Sequence, residues 1–330
     1  MTSNAGPGQM DIESLRTRRE QRRQAVRRRR IGALLATLAI ALAAVLVASH
    51  SSGSSGTHPS TAAVHTRAGS IAADPRRAPG SSARATGSGV PGTQSVPILM
   101  YHVIAAPPAG APFPGLYVEP AEFAEQMQAL KHAGWHAVTL DQVAAYWHHG
   151  APLGTGKPIV VSFDNGYQSQ YTQALPVLRS LGWVGDENMQ LSGLPPSQGG
   201  LGPGEIRGLL GAGWELDTQG FSHADLITLG AAELHYQVAV ARQVLQQRYH
   251  VPVNWFCYPS GHYNATVVAA VKSAGYVGST TVVPGWAHPH DDPYRLHRLR
   301  VLGGTSAQQL LSLLAGIRGD PAAPPSYGGA

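Results

Sequence analysis

Between residues 95 and 317, short apolar runs alternate with segments whose large apolar residues recur at helical spacing. That alternation constrains the chain most, because strands separated by helices must pair in parallel, in an open sheet or a barrel. Strands are expected at Val96–Tyr101, Ala137–Leu140, Pro158–Phe163, Trp214–Asp217, Val253–Tyr258, Val277–Val282 and Tyr294–Val301. Helices are expected at Pro120–Ala133, Leu140–Trp147, Tyr171–Leu181, Glu205–Ala212, Ala231–Tyr249, Asn264–Ala274 and Ala307–Ile317. In a barrel, functional groups gather where strands end.

The polar residues at those expected ends are chemical rather than merely solvating. Asp164 and Asn165 follow one strand, and Asp217, Gln219 and His223 the next. Ser260 and His262 follow a third; His288, His290, Asp291 and Asp292 follow a fourth. Solvated loops are rich in Lys and Glu, whereas Asp-, His-, Asn- and Gly-rich loops suggest a site. The single cysteine, Cys257, excludes an internal disulfide and a Cys-rich zinc site. Any metal must use His, Asp, amides or water.

The rest of the chain reads differently. Residues 1–30 hold nine arginines against Asp11, Glu13 and Glu20, a basic tail expected in the cytoplasm. Ile31–Ala48 are uninterruptedly small and apolar, and 18 residues at helical rise reach roughly 27 Å, near the hydrocarbon thickness. The arginines precede this stretch without a counterpart after it, so residues 31–49 are expected to be a transmembrane signal-anchor helix with the folded domain outside. Residues 50–93 are Ser-, Gly-, Ala- and Pro-rich, too poor in apolar surface to order themselves, and read as a disordered linker. A folded domain over 94–318 and a flexible tail over 319–330 complete the expected order. Residues 94–330 are net acidic, so the basic balance does not indicate nucleic acid.

Several stretches resemble the NodB-homology polysaccharide deacetylases, in order and in register. Val96-Pro97-Ile98-Leu99-Met100-Tyr101-His102 resembles their opening strand, and Val160–Tyr167 (VVSFDNGY) their TFDDGY motif. Trp214–Leu229 resembles their paired-histidine segment, and Phe256–Asn264 (FCYPSGHYN) their F-x-Y-P-x-G-x-Y-N motif. Asp292-Pro293-Tyr294-Arg295-Leu296, with Arg298 and Val301, resembles a segment of the exopolysaccharide branch. The resemblance implies a distorted (β/α) barrel and a metal-assisted hydrolase acting on an N-acetylated polysaccharide. It makes Asp164 the base and gives the positions of a zinc-like divalent metal to Asn165, Gln219 and His223. The family has Asp and His where this chain has Asn165 and Gln219, and amides suit zinc poorly. The resemblance also gives Ser260 an oxyanion-binding backbone N–H. His102, His288, His290 and His297 are candidates for the general acid. Tyr258, Ser260, Tyr263 and Trp286 are candidates for sugar contact. Gly185–Met189 departs from the family's apolar strand and is expected to be a solvated loop. Two other readings stand beside the metal-assisted one. One is a glycan-binding domain without turnover. The other is a metal-free hydrolase pairing Asp164 with Asp186, Glu187 or Asp217.

Overall fold

The structure is a computed structural model, and it describes residues 89–192, 194 and 199–316. The expected basic tail, the transmembrane helix, linker residues 50–88 and the C-terminal tail lie outside the described residues. No helix among the described residues is long and apolar enough to cross a membrane.

The domain opens with β1 (Ile98–Tyr101), followed by two short strands, β2 (Val103–Ile104) and β3 (Tyr117–Val118), which pair with each other. Next come α1 (Pro120–His132), β4 (Trp135–Ala137) and α2 (Leu140–His149). The long strand β5 (Lys157–Asn165) leads through a π-turn at Gln170–Ala174 into α3 (Leu175–Ser180). β6 (Asp186–Met189), α4 (Pro203–Gly211) and β7 (Glu215–Thr218) follow. The expected helix over 231–249 is α5 (Ala231–His235) and α6 (Ala241–Tyr249), joined by a π-turn. β8 (Trp255–Cys257), α7 (Ala265–Ser273), β9 (Gly278–Thr280), β10 (Leu299–Arg300) and α8 (Ala307–Gly316) complete the chain.

The main sheet runs β10-β1-β5-β6-β7-β8-β9, with every pairing parallel. β5 is shared: β4 flanks its first residues and β6 its last four. Thr280 of β9 also bridges Leu296, just ahead of β10, so one stretch of chain joins both edges of the sheet. The expected barrel is thus present in part, as a parallel half-barrel of short strands with helices outside, its ring completed only by that bridge.

Period-two alternation in β5 sets the two faces. Ile159, Val161 and Phe163 pack outward in a cluster with Phe123 and Leu178 of the surrounding helices. Val160 joins Ile98, Trp255 and Leu296 in a separate inner cluster at the strand beginnings. Further along, the inner face turns polar, with Ser162 and then Asp164. The ring is apolar at one end and chemical at the other.

Two expectations fail. Gly185–Met189 is no solvated loop, because Asp186–Met189 form a fully buried central strand. Asp186 and Asn188, in register with Ser162 and Asp164, serve the ring interior, which the composition of the stretch alone does not reveal. The histidines after β9 are not at a strand C-terminal end either. Beyond Val282 the chain doubles back, and Ala287 pairs antiparallel with Val96, ahead of β1. His288 therefore lies at the opposite end of the ring from Asp164, with Nδ1 2.6 Å from the Ser95 hydroxyl.

Candidate active site

A cavity of about 690 Å³ opens at the strand C-terminal ends. Among the expected site residues, Asp164, Asn165, Gln219, His223, Tyr258 and Ser260 line it, and so does His102. Tyr263, Trp286, His288 and His290 do not. Tyr263 is buried against Tyr258, with ring centroids 4.8 Å apart. Trp286 packs on Trp135 in the outer core. The doubling back of the chain after Val282 explains both Trp286 and the histidines. Their expected places in the site are corrected accordingly.

Asp164 is 1% exposed and every contact it makes is directed. Arg298 clasps it as a fork, Nη1 to Oδ1 at 2.7 Å and Nη2 to Oδ2 at 2.9 Å. Asn188 Nδ2 donates to Oδ1 at 2.9 Å, and Gln219 Nε2 approaches Oδ2 at 3.5 Å. Burial alone would raise the Asp164 pKa. The charge and hydrogen bonds of Arg298, aided by His102 and Asn188, outweigh it and hold the carboxyl at about 2. Arg298 is itself fully buried. Its guanidinium also donates to the Thr281 carbonyl and lies 3.1 Å from Cys257 Sγ, so the small thiol leaves it room. Burial pushes the Cys257 thiol up to about 12, so it stays protonated. In the sequence, Arg298 stands out only as part of a motif, and Asn188 falls in the expected loop at Gly185–Met189. What distinguishes Arg298 from its neighbours Arg295 and Arg300 is burial, and burial is not written in the sequence.

His102 Nε2 lies 3.9 Å from Asp164 Oδ2. Burial, reinforced by the charges of Arg298, Arg300 and His223, lowers the His102 pKa to about 4 against the pull of Asp164. Burial likewise lowers His223. Both imidazoles are neutral at pH 7.

Backbone strain concentrates here. Four described non-glycine residues have positive φ: Asn165 (80°), His223 (53°), Ser260 (56°) and His250 (56°). The first three line the cavity, and such conformations persist where the surroundings over-determine them. Gly166 follows with φ 85°, and a Cβ there would lie 2.7 Å from Met189 Sδ. The tight turn presenting Asn165 therefore needs glycine next to it.

The metal implied by the resemblance can be tested on these donors. Asn165 Nδ2 donates to Gln190 Oε1 at 2.9 Å, and Gln190 Nε2 donates onward to the Ser192 carbonyl. Gln219 turns its Nε2 toward Asp164, leaving Oε1 buried and without a partner. Asp164 and Arg300 are the only charged groups among the described lining residues, and Arg298 lies directly behind Asp164. A neutral donor set beside two guanidinium groups and one carboxylate does not fit a zinc-like dication.

A second acidic group lies deeper in the ring. Asp186, Glu215 and Asp217 each offer an oxygen within 4.8 Å of the others. Asp186 Oδ2 and Glu215 Oε2 accept from the Leu140 and Asp141 N–H groups at the start of α2, and Asp217 Oδ1 accepts from Trp255 N–H. Burial first, and then mutual repulsion, raises all three well above ordinary carboxyl values. None of the three lines the cavity. Glu187 shares its sheet face with Phe163 and Leu216, away from Asp164. Asp164 is thus the only carboxylate among the described lining residues, and the two-carboxylate reading loses its geometry.

Residues 153–279 match the family model described as polysaccharide deacetylase. YxkH of Bacillus subtilis (strain 168), assigned as a polysaccharide deacetylase, is 26% identical over 211 residues, 64% of this chain and 73% of that protein. The poly-beta-1,6-N-acetyl-D-glucosamine N-deacetylase of Escherichia coli (strain K12) is 37% identical over 59 residues, 18% of this chain and 9% of that protein. The crystal structure of BA0330 from Bacillus anthracis, titled as a polysaccharide deacetylase, superposes with a TM-score of 0.59 at 27% identity. That match covers 67% of this chain and 69% of that one.

Proposed function

This chain belongs to the polysaccharide deacetylases, hydrolases of N-acetyl amide bonds, and on that premise we propose that it deacetylates a cell-envelope or exported glycan. One observation carries the proposal: an ionised, fully oriented Asp164 at the floor of a cavity, with a neutral imidazole 3.9 Å from it. Asp164 accepts a proton from the attacking water as its oxygen bonds to the acetyl carbon. The Ser260 backbone N–H faces the carbonyl oxygen that gains charge. The proton passes from Asp164 to His102, and the imidazolium delivers it to the nitrogen as the C–N bond breaks, leaving acetate and an amine. Because the donors at Asn165, Gln219 and His223 do not fit a metal, no step uses one.

The same proposal anchors the domain outside the membrane through residues 31–48, with the arginines of 16–30 inside. The support is the sequence pattern alone. Protease accessibility of the domain in intact cells tests it, and a domain protected until lysis would overturn it.

Acetate release from N-acetylglucosamine oligomers tests the chemistry. Asp164→Asn should reduce release to background, because an amide accepts no proton. Wild-type turnover in both Asp164→Asn and His102→Ala would overturn the assignment. Glycan binding without any acetate release would favour the binding-only role, which the neutral donor set also suits.

A further inference from the structure

The donor set supports a conclusion about how the site works as well as what it lacks. Three residues line the cavity at the positions where the resemblance implies a metal: Asn165, Gln219 and His223. Asn165 has committed its N–H to Gln190. Gln219 is 2% exposed, and its Oε1 has no partner in the structure. A buried acceptor without a donor is costly and invites one. Asp164 does not make up the deficit, because its charge is already paired with the Arg298 fork, and Asn188 also donates to Oδ1. Arg300 on the cavity wall adds a further positive charge. A dication here would meet neutral amides, a carboxylate already paired with Arg298, and two guanidinium groups.

We infer that this centre works without a resident divalent metal. Gln219 Oε1, together with Asn165 and His223, instead receives a neutral hydrogen-bond donor, the attacking water or the acetamide N–H of the sugar. The inference rests on the proposed amide hydrolysis for its second half and stands apart from it for its first. The amide-to-acceptor geometry orients the reacting group, while Asp164 alone removes the proton. Gln219, Asn165 and His223 are then substrate- or water-binding residues, and the positive-φ turn at Asn165 fixes the cavity floor.

The experiment uses the full chain, stripped with a chelator and then titrated with cobalt(II) and followed by visible absorption. The stripped protein is also assayed for acetate release with and without added zinc. The wild type should give no cobalt band through His223, and its acetate release should not respond to zinc. The variant Asn165→Asp with Gln219→His restores a carboxylate and an imidazole and should gain a tetrahedral cobalt spectrum. Gln219→His alone serves as the milder variant, with its melting curve compared to wild type. A wild-type cobalt spectrum that His223→Ala abolishes would overturn the inference. So would zinc stimulation of acetate release by about tenfold or more, which corresponds to ~1.4 kcal/mol at the rate-limiting step. Gln219→Leu should raise KM or lower kcat without lowering the melting temperature of the unliganded protein, and unchanged kinetics would overturn the role of Gln219. If the wild type releases no acetate at all, the hydrolase proposal fails, while the cobalt spectra still decide whether the centre binds metal.

Discussion

Two groups of buried carboxylates occupy one ring, and they are stabilised in opposite ways. At the cavity floor, Asp164 has a full guanidinium fork and an amide donor. Deeper in the ring, Asp186, Glu215 and Asp217 have backbone N–H partners and one another, and nothing cationic among their hydrogen bonds. The first group is therefore charged and fixed. The second is shifted toward its protonated form by burial and mutual repulsion, although Asp186 and Glu215 cap the opening turn of α2, where the helix dipole favours negative charge. A charge used as a base must stay ionised, whereas carboxyls used to cap a helix inside a ring can remain neutral.

The largest expected effect comes from breaking the first group. Arg298→Met leaves Asp164 buried without its countercharge and should cost about 3–5 kcal/mol, read from denaturant unfolding. Arg298→Lys keeps the charge but loses the fork, and should cost less. A change below about 1 kcal/mol for Arg298→Met would show that the pair is not what holds this region.

The sign of the pH dependence separates the two groups more sharply. Asp164 sits at about 2 in the folded chain against ~4 unfolded, so its contribution is present above pH ~4 and lost as pH falls through the folded value. The deeper carboxyls are raised by folding. Their contribution is full below pH ~4 and is lost as pH rises through their folded values. Asp164→Asn should flatten the acid arm of the stability curve, and Asp217→Asn the arm above it. At pH 7, Asp217→Asn keeps an acceptor for Trp255 N–H and removes a carboxyl that burial and its neighbours oppose. It should stabilise by on the order of 1 kcal/mol, an advantage that shrinks toward pH 4. Destabilisation at pH 7 would show that the deeper group is compensated after all.

The smallest effect concerns the cap itself. Thr139 accepts from Gln142 N–H, and the Gln142 side chain accepts from Thr139 N–H, a reciprocal cap at the start of α2. Thr139→Ala should cost about 1 kcal/mol by thermal unfolding. A smaller loss would mean that Asp186 and Glu215 suffice to hold that turn.

The sequence alone determined the alternation of strands and helices, because burial of one helix face and of strand cores imposes apolar spacing that can be read locally. It also placed Asp164, Asn165, Gln219 and His223 at neighbouring strand ends, because those ends follow directly from the apolar runs. It missed β6, since a strand facing a polar ring interior lacks the apolar signature. It misplaced His288, His290 and Trp286, since the reversal after Val282 depends on pairing with Val96, nearly two hundred residues away in sequence. Only the tertiary structure decided which arginine meets Asp164 and which carboxyls go without a cationic partner. Charge compensation depends on what lies within about 4 Å in space, and Arg298 and Asp164 are 134 residues apart in the chain.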